Sequence, residues 1–132
     1  MESIVYLGLF LPLCGFLVLL LSSFWIGRCL TNVIGCTTIF LSFLSFLWTL
    51  NFYTENALAP QVFLLFNWIP LAEINAEFTL CIDPLSLLMT LIITGIGFLI
   101  HLFSTGYIDH DRDFARYFAC LNFFVFAMLL LV

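Results

Sequence analysis

Small and polar residues recur at regular intervals in an apolar stretch of the chain that ends at Tyr107. They are Ser86, Thr90, Thr94, Gly97, His101 and Ser104, and we call them the polar seam. Their spacing averages about 3.6 residues, which puts all six on one face of an α-helix. His101 is the member best suited to chemistry, because an unperturbed imidazole gains and loses a proton near neutral pH.

Two roles for His101 fit the sequence. It could pass or gate protons, with Thr94 and Ser104 as supporting polar groups, or it could simply bond a carbonyl of a neighbouring helix. It lies 17 residues beyond Pro84, about 25 Å along a helix axis. That distance predicts a position near the end of the helix opposite to Pro84. The positive-inside rule puts this end on the inner side of the membrane. For the rest of the polar seam, close helix packing is a sufficient explanation.

Asp83 and Pro84 together predict the start of this helix. An aspartate at the N-cap accepts hydrogen bonds from free backbone N–H groups. A proline at the first helical position loses nothing, because that position has no acceptor for an N–H group. We therefore interpret Asp83 as a helix cap and not as a reactive carboxylate.

The composition indicates a membrane protein and excludes a nucleic-acid-binding protein. Of the 132 residues, 64% are hydrophobic and 8% are charged, whereas a soluble domain has about a quarter charged residues. The chain is therefore predicted to lie in a membrane. Its three basic residues exclude a nucleic-acid surface.

Neither the cysteines nor the acidic loop predicts a metal site. The five cysteines lack CxxC spacing, so we interpret them as small apolar packing residues and not as disulfides or metal ligands. Asp109, His110, Asp111 and Asp113 could suggest a metal loop. A solvated junction between two helices is the favoured interpretation.

Four apolar segments are predicted to span the bilayer within a membrane domain that covers 1–132. They run from about 4–26, 30–51, 84–107 and 114–132. About 20 apolar residues are enough to cross a hydrocarbon core of about 30 Å. The last segment is still apolar when the sequence reaches Val132, which suggests a fragment or a truncation.

The segment 52–82, between the second and third spans, is predicted to form a β-hairpin on the outer membrane surface. Gln61–Trp68 and Glu77–Ile82 are short runs rich in aromatic and branched residues, with Ile69-Pro70 and Asn75-Ala76 as the connection. Phe63, Phe66 and Trp68 would suit the membrane interface. The alternative is an irregular apolar loop at the interface.

The basic residues predict an orientation. Arg28 follows the first span, and Arg112 and Arg116 precede or begin the fourth. The segment 52–82 has no lysine or arginine. The positive-inside rule then puts the N-terminus and the hairpin on the outer side of the membrane.

The other spans also have seams of small and polar residues. These are Gly8, Pro12, Gly15 and Ser22 in the first, Asn32, Gly35, Thr38, Ser42, Ser45 and Thr49 in the second, and Ala115, Ala119 and Asn122 in the fourth. Such faces allow helices to approach closely. The predicted fold is an all-α, polytopic transmembrane helix bundle with a small extramembrane β-hairpin, packed against further helices or subunits.

The motifs around the third span identify a family. The sequence has Asp83-Pro84-Leu85-Ser86, then Gly97, Ile100, His101, Phe103, Ser104 and Tyr107, and later Arg116, Phe118 and Asn122. This pattern resembles the N-terminal part of the chain 5 subunit (subunit L) of respiratory complex I, the NADH-quinone oxidoreductase. The resemblance is most specific over 78–132 and rests mainly on span order before 60.

The resemblance implies an antiporter-like subunit that translocates protons as part of an NADH:quinone reductase. Family members have two inverted five-helix repeats and a chain of buried Glu, Lys and His, with an essential glutamate in a Gly-Trp-Glu motif after the fourth span. The present sequence stops before that motif and contains no lysine. The chain alone is therefore not expected to pump protons.

The same resemblance implies the surroundings of the chain. NADH, FMN, iron–sulfur clusters and quinone are expected on other subunits, and none is expected to bind this chain. The expected partners are other membrane subunits of complex I and the lipid bilayer, in the inner membrane with a periplasmic N-terminus. Two alternatives remain: the large subunit of a multisubunit Na⁺/H⁺ antiporter or related bicarbonate transporter, and a structural membrane scaffold without transport.

Overall fold

Four long apolar helices and one β-hairpin make up the chain, as seen in a computed structural model that describes residues 2–25, 27–56, 59–71, 74–107 and 113–132. The elements are α1 (Glu2–Ser22), α2 (Arg28–Asn56), β1 (Gln61–Leu71), β2 (Ile74–Ile82), α3 (Pro84–Tyr107) and α4 (Phe114–Leu131). All four helices are long and apolar enough to cross a membrane. The predicted fold class, a polytopic helix bundle with a small antiparallel sheet, is confirmed.

Two helix ends differ from the predicted spans. α1 ends at Ser22, and the apolar Phe24 and Trp25 lie beyond it with almost fully exposed side chains. Hydropathy alone cannot locate a helix end inside an apolar run. α2 continues to Asn56, so its last turn contains polar residues. The side-chain amide of Asn56 donates to the carbonyl of Phe52 in this turn.

The helices pack so that their small faces meet. α1 lies along α2 and α4, while α3 lies along α2 and makes a shorter contact with α4. All the buried polar side chains of the described residues except Thr31 belong to the predicted seams: Ser42, Thr49, Thr90, Thr94, His101, Ser104 and Asn122. Many large apolar side chains, such as Leu99 and Phe103, point outward instead. This is the distribution expected of a bundle surrounded by lipid.

Two glycines show how close the helices come. A Cβ atom on Gly35 of α2 would stand 2.7 Å from Cδ1 of Phe118 on α4. A Cβ atom on Gly97 of α3 would stand 3.1 Å from a methyl carbon of Val125 on α4. Larger residues at these positions would force the helices apart, so the glycines set the spacing around α4.

A proline in α1 creates a specific link to α2. Pro12 lies inside the helix and has no N–H group, so the carbonyl of Gly8 lacks its usual donor four residues later. The hydroxyl of Ser42 donates to that carbonyl across the helix interface, at 2.5 Å. In lipid an unpaired carbonyl is costly, so Ser42 satisfies the group that Pro12 leaves free.

The hairpin forms a two-stranded antiparallel sheet whose strands are longer than predicted. Gln61 pairs with Ile82 at one end and Leu71 with Ile74 at the other, with register shifts after Leu64 and Asn67. The predicted connection at Ile69-Pro70 and Asn75-Ala76 therefore belongs to the strands. A proline fits there because each strand of a two-stranded sheet has one unpaired edge.

The aromatic residues of the hairpin divide between its two sides. Phe63 is buried in the core together with Ile82, so its predicted interfacial position is wrong. Alternation along the strand turns Phe63 towards the helices. Phe66 and Trp68 are exposed, and both contact the ring of Phe78, with Phe66 stacked on it at 5.5 Å. These outer rings remain suited to the interface.

We expect the Ser42→Ala substitution to destabilise the bundle by about 1 kcal/mol or more, because it leaves the Gly8 carbonyl without a donor. The matched control is Ser45→Ala, since the Ser45 hydroxyl bonds only the carbonyl of Leu41 in its own helix. Reversible denaturation in SDS, followed by circular dichroism, measures both. In a Pro12→Ala background, which restores the N–H group, the loss should shrink. An equal loss in both backgrounds would contradict the explanation.

Candidate functional site

His101 lies on the inner face of α3 and is fully buried. Its Nδ1 atom is 2.7 Å from the carbonyl oxygen of Gly97, one turn earlier in the helix. A carbonyl oxygen only accepts hydrogen bonds, so Nδ1 must carry the hydrogen. In the neutral ring Nε2 is then an acceptor, and it has no hydrogen-bond partner among the described residues. The site therefore contains a buried imidazole with a free basic nitrogen.

Two side chains of α4 stand next to this imidazole. The ring of Phe118 lies edge-on to it, with centroids 5.6 Å apart. The amide of Asn122 is near enough to interact with the ring electrostatically. However, neither the amide nitrogen nor its oxygen makes a hydrogen bond of acceptable geometry within the described part of the chain. Asn122 is also fully buried.

The site lies about two helical turns from one end of the bundle. His101 is six residues before Tyr107, the end of α3, and Asn122 is eight residues after Phe114, the start of α4. At 1.5 Å per residue these positions are about 9 and 12 Å from the same end of the bundle. The sequence predicted a location near the inner end of the helix, and the structure puts both polar groups at a similar depth.

The hydroxyls of the polar seam have different partners. Thr94 donates to the carbonyl of Thr90 at 2.8 Å, and Thr90 donates to that of Ser86 at 2.7 Å. These bonds stay within α3, so Thr94 has no hydrogen to spare for His101. Ser104 is different, because its hydroxyl lies 3.3 Å from the hydroxyl of Tyr117 on α4. Ser104 therefore links the two helices one turn beyond His101.

A cleft of about 230 Å³ separates part of α3 from α4. Ile93, Ile96 and Ile100 line one side, Phe124 and Met128 line the other, and His101 forms part of the wall. Its surface is almost entirely apolar. Water gains little by entering such a space, so the cleft offers packing volume and not a polar route to the imidazole.

The start of α3 has the geometry of a helix cap. The N–H group of Ser86 donates to Oδ1 of Asp83 at 3.3 Å, and the N–H group of Asp83 donates back to the Ser86 hydroxyl at 3.1 Å. This reciprocal pair resembles a capping box in which serine replaces the usual glutamate. One oxygen of the Asp83 carboxylate thus accepts from a backbone N–H group, as a helix cap requires.

Among the described residues, no group of three or more His, Cys, Asp or Glu side chains could hold a metal ion. Asp109, His110, Asp111 and Arg112 lie outside the described residues. The cysteines are free thiols, and Cys14, Cys29, Cys81 and Cys120 are exposed. These four were predicted to be small apolar packing residues, and their thiols lie at the outer surface of the described chain, not in its core. Cys36 alone is partly buried.

Two residues of α4 gain a role that the sequence pattern does not reveal. In the sequence Asn122 belongs to a packing face and matches the family motif, but nothing there links it to His101, and nothing links Tyr117 to Ser104. The available signal was an amide alone in an apolar stretch, since buried polar groups within membrane helices are expensive. Its link to His101 depends on the pairing of α3 with α4, which no local pattern reveals.

The fold and the site together define a class of protein: a multi-pass membrane protein with polar side chains buried between its helices. Comparison with known proteins narrows it. A family model described as NADH-ubiquinone oxidoreductase (complex I), chain 5 N-terminus, matches residues 68–118. NADH-quinone oxidoreductase subunit L of Buchnera aphidicola subsp. Schizaphis graminum is 39% identical over 98% of this chain and 21% of the relative. The Pseudomonas aeruginosa subunit L is 34% identical over 92% of this chain and 20% of the relative.

A more distant relative gives the same result. Subunit L of Escherichia coli K12 is 29% identical over 98% of this chain and 21% of the relative. The chain thus spans about a fifth of the length of these curated relatives. It is similar to the chain 5 (subunit L) membrane subunits of complex I, and the sequence motifs predicted this resemblance.

We expect Asp83→Ala to destabilise the bundle by about 1 kcal/mol, because it removes the acceptor for the Ser86 N–H group. Asp83→Asn keeps an oxygen at that position and should retain most of the stability. Denaturation in SDS measures both variants. If Asp83→Asn lost transport in a full-length subunit while its stability was unchanged, the carboxylate would have a role beyond capping.

Proposed function

We propose that this chain is the N-terminal part of a subunit that translocates protons across the inner membrane, driven by quinone reduction in NADH:quinone oxidoreductase. The observation that carries this proposal is its similarity to subunit L over nearly the whole chain. Reductase activity would belong to the complete complex, because the chain spans about a fifth of its relatives. The names of these relatives favour complex I over a Na⁺/H⁺ antiporter or a scaffold.

Within that function, His101 would accept and release protons at Nε2. Two features support this role: the ring is fully buried, and its Nε2 atom lacks a partner among the described residues. An unsatisfied buried polar atom costs free energy, and a role in proton transfer would explain why this one is present. The direction of transfer would be between the inner water phase and the interior of the full-length subunit.

Ser104 and Tyr117 would connect His101 with the inner end of the bundle. Their hydroxyls lie 3.3 Å apart, and the Tyr117 side chain is partly exposed. Hydroxyl groups can donate and accept at once, as a proton route requires. The apolar cleft beside His101 would not serve this purpose, because its lining offers water almost no polar partners.

The partners of the chain would be other membrane subunits of complex I and the lipid bilayer. NADH, FMN, the iron–sulfur clusters and quinone would be held by other subunits, with no cofactor on this chain. The N-terminus and the hairpin would lie on the periplasmic side. Arg28 and Arg116, which lie towards the opposite end of the bundle, support this orientation.

We expect His101→Ala in the full-length subunit to lower coupled proton transport by about tenfold, because a positioned proton-transfer group typically contributes at least that factor. Assembly should be largely intact, since the one hydrogen bond that the ring makes among the described residues stays within its own helix. Native gels report assembly, and pH-gradient formation in membrane vesicles reports transport. His101→Leu fills more of the space and separates loss of volume from loss of the imidazole.

The matched control is Thr105→Val. Thr105 is also on α3, but its hydroxyl donates to the carbonyl of Leu102 in its own helix, and its side chain is only half-buried. Transport should be unchanged in this variant. Normal transport in both His101 variants would exclude the proton-transfer role.

Native cysteines allow a direct test of the orientation. Cys81 on β2 and Cys29 at the start of α2 are both exposed and lie at opposite ends of the bundle. In variants that keep one of them and replace the other four with alanine, a membrane-impermeant maleimide should label Cys81 from the periplasmic side. Cys29 should react only after the membrane is opened. The reverse pattern would overturn the proposed orientation.

A further inference from the structure

Asn122 is the most unusual polar side chain in the bundle. Its amide is fully buried on α4, and neither Nδ2 nor Oδ1 has a hydrogen-bond partner among the described residues. An unsatisfied buried polar group typically destabilises a protein by about 1–3 kcal/mol. A leucine of similar size would avoid that loss, so packing alone does not explain an amide here.

The surrounding helices leave a space shaped for this amide. A Cβ atom on Gly15 of α1 would stand 2.8 Å from Nδ2 of Asn122 and 2.8 Å from Oγ1 of Thr38 on α2. The amide therefore occupies the space that the missing side chain of Gly15 leaves open. All four helices contribute to this layer: Gly15, Thr38, His101 and Asn122.

The chemistry of the two side chains is complementary. Because Nδ1 of His101 donates to the Gly97 carbonyl, the neutral ring presents an acceptor at Nε2 and the protonated ring presents a donor there. An amide carries both kinds of group on one carbon. Its NH₂ group suits the neutral imidazole, and its oxygen suits the imidazolium after a half-turn of the amide.

Other titratable groups near the imidazole would not compete for this role. Cys36 of α2 packs beside the Phe118 cluster, and Tyr117 of α4 pairs with Ser104. Both types of side chain are ordinarily neutral at pH 7. On α1, Cys14 is exposed. The described charged residues of α2 and α4, such as Arg116, lie towards the helix ends.

We propose that Asn122 is the positioning residue of His101. Its NH₂ group donates a hydrogen bond to Nε2 of the neutral imidazole. When a proton binds Nε2, the amide turns and its oxygen accepts the new N–H group. Asn122 itself neither gains nor loses a proton. Both states of His101 thus have a partner in a site with little water, and the ring keeps one orientation through each cycle.

The inference concerns the same site as the proposed function, but it can be tested without any transport. The chain has two histidines, so His110→Gln leaves His101 as the only imidazole. Solid-state NMR of this chain in lipid bilayers, with ¹⁵N in histidine and asparagine, reports which ring nitrogen is protonated and what lies next to it. We expect neutral His101 to be protonated at Nδ1, with Nε2 in contact with the Asn122 amide nitrogen.

Two variants sharpen this experiment. Asn122→Leu should remove the contact and move the Nε2 resonance to that of an unbonded nitrogen. The matched control is Asn32→Leu, because Asn32 also has a buried oxygen without a partner but lies on α2, near its start. That variant should leave the His101 spectrum unchanged. A wild-type spectrum in which Nε2 contacts water and not the amide would overturn the proposal, even if Asn122→Leu failed to fold.

The outcomes separate this inference from the proposed function. If the contact is present but His101→Ala transports protons normally, the positioning role stands and the transport role fails. If transport depends on His101 but the contact is absent, only the present inference fails. If both hold, Asn122→Leu in the full-length subunit should reduce transport to a level close to that of His101→Ala, with assembly unchanged.

Discussion

The close approach of the helices is the constraint on which the rest of the structure depends. In lipid, helices gain little from burying apolar surface against one another, so van der Waals contact and hydrogen bonds must hold them together. Gly35 and Gly97 allow α2 and α3 to touch side chains of α4 directly. The Gly8 carbonyl, left free by Pro12, is satisfied by Ser42. Each of these contacts requires a small or polar residue at one position.

The same packing encloses the candidate site. Once α1, α2 and α3 are close to α4, the side chains of His101 and Asn122 can reach neither lipid nor water. Nδ1 of His101 bonds the Gly97 carbonyl, but Nε2 and both polar atoms of the Asn122 amide have no hydrogen-bond partner among the described residues. In the pairing that we propose, this packing would link the protonation state of His101 to the orientation of the Asn122 amide, and a packing face would gain a chemical function.

Much of this architecture could be predicted from sequence. Hydropathy identified four segments that the structure shows as helices, and the 3.6-residue period identified the buried face of α3. The limits of α1 and of the hairpin strands were less accurate, because Phe24 and Trp25 are apolar outside a helix and Pro70 lies within a strand. In those places, local composition does not distinguish the competing backbone conformations.

The candidate site, like the fold, could be predicted from the sequence only in part. By itself the sequence determined the helices, the polar seam, the cap at Asp83 and the family resemblance, because these depend on periodicity, on neighbouring residues or on motifs. Only the tertiary structure decided that Thr94 bonds within its own helix, that Ser104 meets Tyr117 and that His101 stands beside Asn122. These contacts join residues of different helices, or depend on which side chain is nearest. The two contacts between α3 and α4 follow from the distance between these helices, which no single segment encodes.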